Sequence, residues 1–279
     1  MSTPTLYTPN PDSSAPMYPF RLGTTSYILP ADILPNVRFL AGKVQDVELV
    51  LFEVDDGPNN LPPPHVIAEV AALAEAHALT FTVHLPLDLR LGAGGDEGHA
   101  SLVKARKVID CTRPLEPWAY VLNLDGRDVK ESTDAARLER WRAESIRALE
   151  LTAEWAGGAE RLAVENLERY PPDFIQPVIE RMPVSRCVDV GHLWLDGLDP
   201  LPYLRAALPR TRDVHLHGLA ERDHKSLARM PADKLIPVVE FLLHEQYTGV
   251  LTLEVFGEED FYSSVKALER SVREVLREG

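Results

Sequence analysis

The chain has 279 residues, 45% of them hydrophobic, enough to bury the core of one large α/β barrel or of two ordinary domains. Lys and Arg total 29 against 43 Asp and Glu, a net charge of −14, which repels phosphate backbones and argues against duplex DNA while still allowing a local basic pocket. Two cysteines, Cys111 and Cys187, build no disulfide framework, and no apolar stretch approaches the ~18 residues of a membrane span, so a reducing, cytoplasmic setting is expected.

Residues 1–19 are polar and proline-rich, without the basic start and apolar middle of an export signal, and read as a loose tail. Residues 20–279 then alternate strand-like and helix-like segments. The expected strands are Arg21–Thr25, Val47–Glu53, Leu79–Leu85, Ala119–Leu124, Arg161–Asn166, Ser185–Val190, Asp213–His217 and Val250–Val255. Most are short continuous apolar runs, the pattern of parallel strands covered on both faces.

Helical stripes lie between them. Val66, Val70 and Leu73 follow Pro62-Pro63-Pro64, and the stretch from Ser132 to Trp155, with capping oxygens at its start, suits the longest helix. Pro231 can occupy a first helical turn ahead of Leu235, Val239 and Leu242. Phe261, Val265, Leu268, Val272 and Val275 form the final stripe. Eight units of about 32 residues match the pitch of a βα repeat. No Gly-x-Gly-x-x-Gly follows the first strand, so an open doubly wound sheet is disfavoured. The expected fold is a (β/α)8 TIM barrel with a parallel sheet, in a single domain.

Active sites of such barrels sit at the carboxyl ends of the strands. Glu165, Asp189, His215 and Glu254 end strands five to eight. An ionised group beside buried apolar strands is destabilising unless it is paired or bound to metal. Any one of the four alone could be a buried ion pair. Together, three carboxylates and an imidazole make a ligand set for Mn²⁺, Zn²⁺, Fe²⁺ or Co²⁺ rather than Ca²⁺. Cys187, two residues before Asp189, reads as a small core filler.

His192, His84 and His224 are catalytic candidates around that centre, each weighed against a hydrogen-bonded polar residue at the barrel rim. Gly191 would permit a tight turn ahead of His192. Substrate-binding candidates are Arg222 and Lys225, near Arg229 where barrels often hold phosphate, together with His217, Trp194 and Tyr27. The bland alternatives are a solvated charged loop and ordinary aromatic packing. Glu53 is a weaker candidate beside Asp55 and Asp56. Gly92, Gly94, Gly95 and Gly98 suggest a mobile lid.

Ala-Val-Glu-Asn (163–166), Val-Asp-Val-Gly-His (188–192), Val-His-Leu-His-Gly (214–218) and Leu-Thr-Leu-Glu-Val (251–255) resemble the xylose-isomerase-like barrel superfamily. That group includes sugar isomerases, sugar epimerases and the second type of abasic-site endonuclease. The resemblance implies that Glu165, Asp189, His215 and Glu254 hold a central metal ion. Residues 21–37 and 47–53 are similar to a narrower group, the cobamide-remodelling phosphodiesterases. Arg222 stands where the endonucleases carry an acid, and Asn123 where they carry an imidazole. One ion is therefore expected, a second is admitted, and a trinuclear cluster is not expected.

Three functions follow as expectations. The first is metal-dependent hydrolysis of the nucleotide-loop phosphoester of a cobamide, with His192, His84 or His224 orienting water or protonating the leaving oxygen. The alternative is a metal-dependent sugar isomerase or epimerase using Glu165 and Glu254 as the acid/base pair. A catalytically silent barrel that binds a ligand is the third. The expected partner is a small molecule, cobamide or sugar, with neither nucleic acid nor membrane.

Overall fold

The computed structural model describes residues 18–52, 59–221 and 223–278. Eight parallel strands close into a barrel in chain order. They are β1 (Arg21–Thr25), β2 (Asp46–Val50), β3 (Thr80–His84), β4 (Ala119–Leu122), β5 (Leu162–Glu165), β6 (Ser185–Asp189), β7 (Thr211–Leu216) and β8 (Val250–Leu253). Nine α-helices accompany them among the described residues. These are α1 (Ile33–Leu40), α2 (Pro64–His77), α3 (Ala100–Thr112), α4 (Ala135–Ala156), α5 (Gln176–Ile179), α6 (Val190–Leu195), α7 (Pro200–Ala207), α8 (Ala232–His244) and α9 (Glu258–Glu278). The (β/α)8 architecture read from the sequence is the one observed. The tail through residue 17, residues 53–58 with Glu53, Asp55 and Asp56, and Arg222 lie outside the described residues.

Every expected strand forms, but most are shorter than the apolar runs suggest. The ladder stops where the chain turns away from the sheet. β4 ends at Leu122, leaving Asn123 beyond the pairing, and Asp189 closes β6 while capping α6, its Oδ1 accepting the backbone N–H of His192 at 2.7 Å. The capping oxygen expected at the start of α4 is that of Asp134, last of Ser132-Thr133-Asp134, which accepts from the Ala136 and Arg137 N–H groups. It ends at Gly157, whose φ of +84° only glycine adopts freely.

Side chains alternate across each strand, so the barrel has two unlike faces. Outward residues such as Leu49, Phe81, Tyr120, Leu122, Val164 and Val188 join one large apolar layer beneath the helices. Four small inward residues, Ala119, Val121, Ala163 and Cys187, make a separate apolar cluster inside the barrel. Much of the remaining interior is polar. Asp46 accepts from Thr80 Oγ1 at 2.5 Å and from the Thr82 N–H at 3.1 Å, and Thr252 Oγ1 donates to Asp213 at 2.9 Å. At the amino-terminal end the Trp118 ring lies between the Arg21 and Arg212 guanidinium groups, 4.0 and 3.9 Å from its centroid. The candidate site lies above this filling, at the carboxyl ends of the strands.

The glycine-rich loop after β3 is hydrogen-bonded to itself. Gly92 N–H donates to the Asp96 carbonyl at 2.7 Å and Gly98 N–H to Asp96 Oδ1 at 2.9 Å. Glu97 pairs with Arg147 at 2.8 Å, tying the loop to α4.

Candidate metal centre

β5, β6, β7 and the end of β8 deliver Glu165, Asp189, His215 and Glu254 to one point. One ligand atom from each lies within 4.8 Å of every other, and all four residues are buried. His215 is central. Its Nδ1 lies 2.8 Å from Glu165 Oε1 and 3.3 Å from Glu254 Oε2, and its Nε2 lies 3.3 Å from Glu48 Oε1.

The donor atoms fit an ion. Glu165 Oε1, Asp189 Oδ2, Glu254 Oε2 and both His215 nitrogens are buried without a hydrogen-bond partner. Folded proteins rarely leave such atoms unsatisfied. Oxygen donors with one imidazole nitrogen, all within reach of a common centre, match a divalent transition metal. Cys187 shares a group with Glu165 and His215. Burial pushes its thiol well above the usual range, so it stays a neutral filler.

The surrounding charges reinforce one another. Burial pushes the Glu165 and Glu254 carboxyls up, but the His215 imidazole outweighs it and holds both well below the ordinary carboxylate range. Burial pushes the imidazoles down, yet the acids win. Glu165 holds His84 up at about 9, Asp189 holds His192 at about 9, and Glu254 holds His224 at about 10.

The catalytic candidates ring this centre. His84 Nε2 lies 3.5 Å from Glu165 Oε2, His192 Nδ1 lies 3.3 Å from Asp189 Oδ2, and His224 Nε2 lies 3.3 Å from Glu254 Oε2. His224 has a φ of +52°, a strained value for a non-glycine residue that brings its N–H to His217 Nδ1 at 3.1 Å.

The substrate-binding candidates divide. Lys225 lines a cavity of about 200 Å³ with Asp223, His224 and Phe256. Tyr27 is exposed on the loop after β1, its hydroxyl accepting from Asn60 Nδ2. Trp194 is buried in the apolar layer instead, because α6 turns that face inward. His217 is fully buried, with Nε2 3.3 Å from Asp189 Oδ1. Its ring passes so close to Gly191 that a Cβ there would sit 2.2 Å from it. Gly191 is therefore needed for room, not for a turn, and its φ is not positive.

A second group, Asp189, His192, His217 and His224, also has ligand atoms within 4.8 Å of one another. His217 Nδ1 accepts the fixed backbone N–H of His224, and the nearby Gly218 carbonyl already receives the Lys225 N–H at 3.0 Å. This assigns the His217 proton to Nε2, where it faces Asp189 as a donor.

Several contributors were not among the site residues expected from the sequence. Asn123 Nδ2 donates to Glu165 Oε2 at 2.7 Å. Asn166 holds Asp189 through both backbone groups, its Oδ1 accepting from the Asp189 N–H at 3.0 Å and its Nδ2 donating to the carbonyl at 2.9 Å. Glu48 lies beneath His215. Phe52 and Phe256, exposed after β2 and β8, set their rings edge-on to His84 and His224 at 5.7 and 5.6 Å. Exposed aromatics at strand ends were the available signal for the last pair.

Comparison with known proteins agrees with the fold. Solved structures that share the fold include the following three. One is a D-tagatose 3-epimerase-like protein, 16% identical, with 93% of this chain and 99% of that one covered at a TM-score of 0.73. An L-ribulose 3-epimerase is 16% identical, with coverage of 93% and 96% and a TM-score of 0.66. Endonuclease IV from Thermus thermophilus is 21% identical, with coverage of 93% and 100% and a TM-score of 0.64. No curated protein sequence matches the chain. None of these comparisons bears on the narrower likeness to cobamide-remodelling enzymes. No helix among the described residues is long and apolar enough to cross a membrane. The family model of the xylose isomerase-like TIM barrels matches residues 43–278, and the chain belongs to that family.

Proposed function

We propose that the protein is a metal-dependent sugar epimerase or isomerase, with Glu165, Asp189, His215 and Glu254 holding one divalent ion of the Mn, Zn, Fe or Co type. The observation that carries this reading is the convergence of Glu165, from β5, and Glu254, after β8, on one His215 nitrogen at 2.8 and 3.3 Å. A bound ion would polarise a substrate carbonyl or hydroxyl oxygen. Both glutamates are ionised at neutral pH, so one can take a proton from the carbon beside the carbonyl. The other returns a proton to the opposite face. His192, which Asp189 keeps protonated, donates to a substrate hydroxyl. Phe52 and Phe256 give the C–H surface of a sugar an apolar wall. The epimerase-type neighbours support this reading over hydrolysis, which sequence alone put first.

One observation favours the hydrolytic reading: the group of Asp189, His192, His217 and His224 beside the quartet, with Lys225 at its edge. His217 weighs against a second ion there, because its Nε2 proton leaves that group a ligand short.

Mn²⁺-loaded protein incubated with a panel of ketoses in D₂O tests the proposal. Deuterium entering the carbon beside the carbonyl, read by NMR, is the expected result. No exchange across the panel, together with release of the lower ligand from adenosylcobalamin by the same sample, would transfer the assignment to hydrolysis.

A further inference from the structure

We infer that Glu48 is a positioning residue for His215, taking the Nε2 proton so that the Nδ1 lone pair is held towards Glu165, Asp189 and Glu254. This deepens the metal reading above and rests on it. Glu48 sits in the middle of β2, in Asp46-Val47-Glu48-Leu49-Val50, and is fully buried. Neither of its carboxylate oxygens has a hydrogen-bond partner. A buried carboxylate without a partner is destabilising, so its place in a barrel interior calls for a task.

The two nitrogens of His215 face different surroundings. Nδ1 faces the quartet, and Nε2 faces Glu48 Oε1 at 3.3 Å and Asp213 Oδ2 at 3.8 Å. A neutral imidazole carries one proton, and a nitrogen that ligates a metal must not hold it. Ligation through Nδ1 therefore puts the proton on Nε2, inside a dry barrel where it needs an acceptor. Asp213 is already engaged, accepting from Thr252 Oγ1 on both oxygens at 2.9 and 3.2 Å. Glu48 is nearer and unengaged. The contact has the distance of a hydrogen bond but not yet the alignment, so a small rotation of the carboxylate completes it. Ligating histidines commonly carry a carboxylate on the second nitrogen, which fixes the tautomer and raises ligand basicity.

The test uses the full chain with Glu48→Gln and Glu48→Met. Mn²⁺ affinity and stoichiometry are measured by calorimetry, and the His215 Nε2–H resonance is followed in ¹⁵N-histidine protein loaded with diamagnetic Zn²⁺. Glu48→Met is expected to weaken Mn²⁺ binding about 10–100-fold at unchanged stoichiometry. The Nε2–H signal, far downfield in the parent, should move upfield. Glu48→Gln keeps an acceptor oxygen and should fall between the two. If Glu48→Met does not fold, the glutamine variant decides alone. Parent-like affinity and an unmoved resonance overturn the inference. So does loss of a whole equivalent of metal, which would make Glu48, Asp213 and His215 a deep cation site. A parent protein that takes up no metal overturns the metal reading itself, a result distinct from variants that bind as the parent does.

Discussion

At the scale of single residues, the proposed ligands are each held by a neighbour. Asn123 supplies the hydrogen bond to Glu165 Oε2, leaving Oε1 free beside His215 Nδ1. Asn123→Ala should therefore weaken metal binding or turnover about 10–100-fold while changing the melting temperature little. Parallel titrations and melts check this, and an equal loss of stability and affinity would show a merely structural role. The convergence of these four residues was legible in the sequence because charge at the end of an apolar strand is costly and so informative. Their supports were less so. Glu48 alternates with Val47 and Leu49, and without the barrel register an inward acid reads the same as an outward, solvated one. Asn166 was visible inside the Ala-Val-Glu-Asn run, but its bonds go to backbone groups 23 positions away, and such pairing leaves no local signature.

At the scale of elements, the strands were readable and the short helices were not. Buried parallel strands announce themselves as apolar runs, and the long amphipathic helices α4 and α9 by their stripes. α5 and α6 span four and six residues, too short for a period of 3.6 to repeat. The turn from β6 into α6 holds several of these contacts within three residues. Asp189 ends the strand, caps the helix and faces the quartet, and Gly191 leaves space for the His217 ring. Gly191→Ala should displace that ring and destabilise the protein by about 1–3 kcal/mol. Metal affinity should fall as well, because His217 faces Asp189 Oδ1. Urea unfolding with a metal titration reads both effects, and a variant unchanged in both would show that the close approach is not real.

At the scale of the whole molecule, the barrel encloses acids that ordinary packing would avoid. Burial holds the Asp46 carboxyl up at about 7, against the opposing hydrogen bond from Thr80. The folded state thus binds this proton more tightly than the unfolded chain. The resulting stability is complete below pH ~4 and is lost as pH rises through about 7. Between pH 5 and 8 the metal-free protein should lose about 3 kcal/mol from this group. Asp46→Asn should flatten that dependence in urea unfolding, and an equally steep variant would contradict the assignment. The overall fold was legible from repeat length and strand count. The sequence put hydrolysis ahead of epimerisation on a narrower likeness, but both readings would use the same four residues, so the quartet itself does not choose between them.

The account depends most on where the ion sits. Crystals grown with Mn²⁺ and measured at the manganese absorption edge locate it directly. One anomalous peak among Glu165, Asp189, His215 Nδ1 and Glu254 is the result predicted. A peak of equal height among Asp189, His192, His217 and His224, or no peak in the barrel, would contradict it.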